Sequence, residues 1–179
     1  MPVVRVVIIP GHGLIGPGAP DPGGQGAGGS EYAWTSTAAE LIAGACRSAG
    51  LEVAVDEVGA SLHRSADADS IAPDLVLYVH GDIGAGGVFF YPNSARGITY
   101  ANLIGRELYP ILPSIAVKTA TSSAYPRAYG LLARTTAPAV LLELCDQRSA
   151  ASVTHLHERL PDVAAAVARG LGSEAAWTG

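Results

Sequence analysis

Three short apolar runs constrain this chain more than anything else in it. Val3 to Ile9, Leu75 to Val79 and Ala139 to Leu144 are continuous and rich in Val, Ile and Leu. They lack the polar–apolar alternation of a half-exposed strand, so they read as strands buried on both faces, as in parallel sheets covered by helices. Between them lie stretches of helical period. Ser30 suits an N-cap, and the pattern it opens runs to about Ala49, with Glu31 in the first turn, Leu41, Ala45 and Cys46 as an apolar stripe and Gly50 just past the end. Gly97 to Leu108 repeats the pattern with Ala101, Ile104 and Leu108, and Pro110 and Pro113 end it. Val153 to Leu171 puts Leu156, Leu160, Val163, Val167 and Leu171 on one face, with Pro161 as the point where the helix would kink or split.

The remaining segments are shorter. Leu51 to Val55, Val88 to Tyr91, Ile115 to Thr121 and Leu131-Leu132-Ala133 read as extended, and Gly59 to Ser70 as a short helix. Gly11 to Gly29 is dominated by Gly and Pro and reads as a long loop with neither helix nor strand, a kind usually tied to function. Strands alternating with helices predict an α/β fold: a single three-layer α/β/α domain over residues 1–179, with a twisted, mostly parallel sheet and no repeat, linker or second domain.

Composition narrows the function classes. The 179 residues are 49% hydrophobic and 15% charged, enough apolar material for a real core. No apolar run approaches the ~18 residues of a membrane span. The formal charge is −5 with no basic stripe, which argues against phosphate-driven nucleic-acid binding and against adhesion to anionic membranes. Two cysteines, Cys46 and Cys145, are no disulfide framework and no zinc finger; reduced thiols are the expectation, with one bridge as the alternative. Met1 to Arg5 opens no secretory leader, so synthesis in the cytoplasm is expected.

Three titratable groups fall at comparable places. His12 follows the first run, His80 follows the second, and Glu143 lies near the end of the third. In a mostly parallel sheet the strand carboxyl ends converge on one edge, where open α/β sheets place their sites. Two imidazoles and a carboxylate are the usual content of a catalytic zinc site. The competing readings are structural. A lone His after a strand is more often a satisfied polar residue, and Glu31 is a first-turn acid worth ~0.3–1 kcal/mol. His12 stands out because Gly11 and Gly13 flank it, letting the backbone bend and a ligand approach. Glu143 stands out because a carboxylate inside Ala-Val-Leu-Leu-Glu-Leu-Cys is costly unless paired or bound to metal. His63, Asp67, Asp69, His155 and His157 read as surface; Cys46 reads as core, and Cys145 could line the pocket beside Glu143. Gly11 to Gly16 matches G-x-G-x-x-G, but no helix begins inside it and the next acidic strand end, Asp56, lies too far on for a dinucleotide site. Neither a P-loop nor a G-x-S-x-G elbow occurs.

Five landmarks in order carry a resemblance: Val7-Ile8-Ile9-Pro10-Gly11-His12-Gly13; the Gly-rich loop ending Gly29-Ser30-Glu31 before a helix; Asp74 to His80; Gly87-Val88-Phe89-Phe90-Tyr91; and Pro138 to Glu143. Together they resemble the zinc-dependent N-acetylmuramoyl-L-alanine amidases of the amidase-3 type, from about Val3 to Leu171. The resemblance implies a six-stranded twisted sheet with helices on both sides. It implies Zn2+ held by His12, Glu31 and His80, with Glu143 as the catalytic carboxylate. It also implies a peptidoglycan substrate, cut at the amide between N-acetylmuramic acid and L-alanine and met after release or delivery to the wall. The chain departs from the family pattern at Ile9 (usually Asp), Gly81-Asp82 (usually Ala-Asn) and Leu144-Cys145-Asp146 (usually beginning Gly-Phe), and Asp82 is a candidate to orient an imidazole. The alternatives are a zinc peptidase or other amidase, and a catalytically silent wall-binding or particle-structural module.

Overall fold

The computed structural model describes residues 4–15, 19–27, 29–56, 72–82, 84 and 86–175. In chain order these form β1 (Arg5–Pro10), β2 (Gly13–Ile15), β3 (Ala19–Asp21), β4 (Gln25–Gly26), β5 (Gly29–Ser30), α1 (Glu31–Ser48), β6 (Glu52–Val55), β7 (Leu75–Asp82) and β8 (Gly87–Phe90). Then follow α2 (Ala95–Leu108), β9 (Ala116–Thr119), α3 (Pro126–Leu132), β10 (Ala139–Asp146) and α4 (Ala150–Ala175).

One six-stranded sheet, in the order β6-β1-β7-β10-β8-β9, organises the chain. The first four strands run parallel to one another; β8 meets β10 antiparallel and carries β9 parallel to itself. The three apolar runs are β1, β7 and β10, side by side at the centre, where both faces are covered. Alternate residues serve two cores. Val6, Ile8, Leu75, Leu77, Val79, Val140 and Leu142 face α1, α2 and α4. Val7, Ile9, Val76, Tyr78, Ala139 and Leu141 face the short α3. Helices thus flank both sides, three on one and one on the other among the described residues. None of the described helices is long and apolar enough to cross a membrane.

Four expectations change. The 11–29 segment is not free of regular structure: it folds into two small antiparallel ribbons, β2 with β3 and β4 with β5. Their ladders are two or three residues long, and Pro20 sits in the middle of β3, where each strand of a two-stranded ribbon is an edge that tolerates proline. Leu131-Leu132-Ala133 is not extended. Leu131 and Leu132 close α3, started by Pro126 at its first turn, and they bury against the sheet; a short apolar run does not by itself distinguish strand from helix. Leu41 lies off the core stripe, 40% exposed. The buried face of α1 is Trp34, Thr35, Ala38, Ala39, Ile42, Ala43 and Cys46 behind Glu31. Pro161 sits inside a continuous α4, without splitting it. The expected 59–70 helix, with His63, Asp67 and Asp69, lies outside the described residues.

Candidate metal centre

The parallel strands end together, and the site is built on that edge. Gly11 N donates to Val79 O at 2.7 Å, locking the end of β1 against β7 just before His80. His12 itself adopts φ 66 and Gly13 φ 110, so the left-handed turn rests on the histidine as well as on a glycine. Gly11 has a different task from bending: a Cβ there would lie 2.6 Å from His80 Nδ1, so its missing side chain is the space the imidazole occupies. Gly23, at φ +70, does the same for His12, whose Cδ2 would be 2.4 Å from an added Cβ.

Glu31 arrives from the other direction, on the first turn of α1. Ser30 takes the N-cap position but makes no side-chain cap bond. Instead Glu31 N donates to Gly24 O at 2.9 Å and Tyr32 N to Pro22 O at 3.1 Å, so the Gly-rich loop caps the helix with its backbone. Thr35, fully buried, donates from Oγ1 to Gly11 O at 3.0 Å and ties α1 to the end of β1.

The three side chains converge. Among the described residues, His12, Glu31 and His80 form a group with one ligand atom from each within 4.8 Å of the others. Glu31 lies between the imidazoles: its Oε2 is 3.0 Å from His12 Nε2 and its Oε1 3.1 Å from His80 Nδ1. The far side of the carboxylate is held by two backbone amides, Gly24 N to Oε2 at 3.2 Å and Gly81 N to Oε1 at 3.1 Å. Burial works against ionising Glu31, but the hydrogen bonds with His12 and His80 outweigh it and hold the carboxyl far below the usual range. His12 is raised to about 9, first by its hydrogen bond with Glu31, with burial opposing and Asp21 adding.

These residues fit a divalent ion of the zinc type. Zn–N and Zn–O bonds of ~2.0–2.1 Å separate tetrahedral ligand atoms by roughly 3.3 Å; here each imidazole meets its own oxygen of Glu31, at 3.0 and 3.1 Å, and one ligand atom from each residue lies within 4.8 Å of the others, a span that side-chain rotation closes around one ion. The donor set, two imidazoles and a carboxylate, is one zinc uses with a fourth position open. His80 Nε2 is buried with no hydrogen-bond partner.

Glu143 stands beside this group. In the β7–β10 ladder it pairs with His80, so both side chains leave the same sheet face one strand spacing apart. A register shift follows immediately, between Glu143 and Asp146. The residue as a whole is half-buried, and its Oε2 is buried. Cys145 is buried in the core facing α1, α2 and α4, and Cys46 is buried as well; both are free thiols.

Two residues at the site had escaped the reading of the chain. Asp21 Oδ2 lies 2.9 Å from His12 Nδ1, and its Oδ1 accepts from Gly23 N at 2.9 Å. The signal was there: Asp21 is the one titratable residue between His12 and Glu31. The side chain of Asp82, a candidate to orient an imidazole, lies outside the described residues; the His12 ring meets Asp21. Gln147 is 6% exposed beside Gly81; in sequence, Asp-Gln-Arg-Ser after a strand reads only as a surface turn.

Comparison with known proteins follows the same lines. The family model described as N-acetylmuramoyl-L-alanine amidase matches residues 6–173. No curated protein sequence matches the chain. Among solved structures, the catalytic domain of the N-acetylmuramoyl-L-alanine amidase CwlV from Bacillus (Paenibacillus) polymyxa var. colistinus has TM-score 0.80 at 19% identity, covering 97% of this chain and 99% of that one. The catalytic domain of the CD27L endolysin targeting Clostridia difficile has TM-score 0.72 at 20% identity, covering 94% and 96%. Cwp6 from Clostridium difficile has TM-score 0.75 at 23% identity; the match covers 97% of this chain but 29% of that one, so the chain spans less than a third of its length. At these identities the structures establish a shared fold, and the family match over nearly the whole length establishes kinship: the chain belongs to the amidase-3 family of N-acetylmuramoyl-L-alanine amidases.

Proposed function

We propose that this protein is a zinc-dependent peptidoglycan amidase, cleaving the amide between the lactyl group of N-acetylmuramic acid and L-alanine, with residues 6–173 acting as one catalytic unit. The observation that carries the reading is the convergence of His12, Glu31 and His80 on the strand edge where Glu143 stands in register with His80. His12, Glu31 and His80 would hold the metal. Bound there, zinc supplies Lewis acidity that polarises an amide carbonyl and acidifies water.

Glu143 does the proton work. Its carboxylate takes a proton from the water that adds to the carbonyl carbon, then delivers it to the alanine nitrogen as the C–N bond breaks. The products are a lactyl carboxylate and a free α-amine. Asp21 keeps the His12 ring turned toward Glu31 through Nδ1. Gly24 and Gly81 fix the Glu31 carboxylate through their amides.

The test is product analysis on purified muropeptides with the zinc-loaded protein. Release of the intact stem peptide is expected; release of single amino acids, or none, sinks the reading. Glu143→Gln is expected to bind zinc like the wild type and to lose ~10²–10⁴ or more of the rate. A Glu143→Gln protein with full activity removes Glu143 from the chemistry.

A further inference from the structure

We propose that Gln147 is the positioning residue of this site: by bracing the two backbone amides that hold the Glu31 carboxylate, it sets how tightly His12, Glu31 and His80 grip a divalent ion. The inference rests on the metal reading above and adds a residue outside the ligand set.

Both amide donors to Glu31 belong to glycines, Gly24 and Gly81, from segments far apart in the chain. Both glycines are pressed against one side chain. A Cβ at Gly81 would lie 2.8 Å from Gln147 Cγ and 2.9 Å from its Nε2, and one at Gly24 would lie 3.1 Å from Oε1. The contacts are directional as well as steric. Gln147 Nε2 donates to Gly81 O at 2.8 Å, anchoring the peptide that follows Gly81, while the peptide that precedes it carries the N–H that reaches Glu31. The Gln147 backbone holds the loop too: Ala27 N donates to its carbonyl at 3.0 Å, and a Cβ at Gly26 would meet that same oxygen at 2.2 Å. One residue after β10 thereby joins the end of β7, the Gly-rich loop and, through their amides, the metal-facing carboxylate. Gln147 is 6% exposed, so water does not substitute for it. A buried amide that holds a single strand end needs no such arrangement; one that abuts both donors of the same carboxylate controls that carboxylate's position.

The test compares the wild type with Gln147→Met, which keeps length and volume but loses the donor, and Gln147→Asn, which keeps the amide but is too short to reach Gly81 O. Val163→Ala, buried on α4 away from the site, serves as the control for lost stability. Zinc dissociation constants are measured by competition with a chromophoric chelator, and amide hydrogen exchange of Gly24 and Gly81 is followed by NMR in the metal-free proteins. Zinc affinity is expected to fall ~10–100-fold in both Gln147 variants and to stay unchanged in the control. Faster exchange at Gly24 and Gly81 accompanies it. Wild-type affinity in Gln147→Met, an equal loss in Val163→Ala, or unchanged exchange at both glycines overturns the proposal. Failure of both Gln147 variants to fold overturns it too, since the sheet does not need this brace to form. A wild type that binds no zinc sinks the metal reading instead, and the exchange experiment still decides the role of Gln147.

Discussion

His12 sits at φ 66, a left-handed conformation that most residues avoid and that costs of order 1–3 kcal/mol for a side chain larger than glycine. The surroundings over-determine it. Asp21 holds Nδ1, Glu31 takes Nε2, and Gly23 leaves the ring its space. The same logic of exclusion governs Gly11, which packs against the His80 ring. Gly11→Ala is expected to displace that imidazole and to weaken zinc binding ~10–100-fold while leaving the far-ultraviolet circular dichroism unchanged; zinc titration against wild-type affinity checks it. His12, His80 and Glu143 were legible in sequence because each interrupts or terminates an apolar strand. Glu31 was not, since a first-turn acid looks the same with or without a metal, and it rose to a ligand only through family resemblance. Asp21 was legible in principle as the lone acid of its loop. Gln147 was not legible at all, because its burial depends on three segments that meet only in the fold.

The central strands formed where apolar runs demanded them, and the helices where the 3.6-residue period did. The differences at Leu41 and at Leu131-Leu132 share one cause: periodicity is ambiguous over a few residues. In α1 the stripe was placed about one residue off, and the consequence is measurable. Ile42, 1% exposed, is expected to cost ~2–5 kcal/mol when replaced by Ala, whereas Leu41→Ala, 40% exposed, is expected to stay within ~0.5 kcal/mol. Urea unfolding of the two variants checks the assignment; a Leu41 cost equal to that of Ile42 contradicts it. The Gly-rich segment teaches the converse. Its ribbons form between residues of poor strand propensity, and its second half is tethered, by Glu31 and Tyr32 amides to Gly24 and Pro22 carbonyls and by Ala27 to Gln147.

At the scale of the molecule, two cores flank one sheet, and both thiols lie in the larger core. Burial pushes Cys46 from 9.0 up to about 11 and Cys145 up to about 12, with the acidic neighbours Asp146, Glu31 and Glu143 adding to the latter. The folded state therefore keeps these protons when the unfolded chain has begun to lose them. Between pH ~9 and pH ~11–12 the unfolded state binds fewer protons, so stability falls as pH rises through that window and is unaffected below it. Thermal unfolding at pH 8 and pH 10.5 is expected to show the loss, smaller in Cys46→Ala and Cys145→Ala relative to each variant's own pH 8 value, and a native protein readily alkylated at pH 8 contradicts it. What the sequence by itself determined is the α/β class, the buried central strands and the carboxyl-end placement of His12, His80 and Glu143, because apolar continuity and helical period are local properties of a chain. What only the tertiary structure decided is the cage: which carboxylate lies between the imidazoles, which glycines are spaces for rings, and which amide braces them. Those depend on distances between residues remote in sequence, and distance is a property that packing alone assigns.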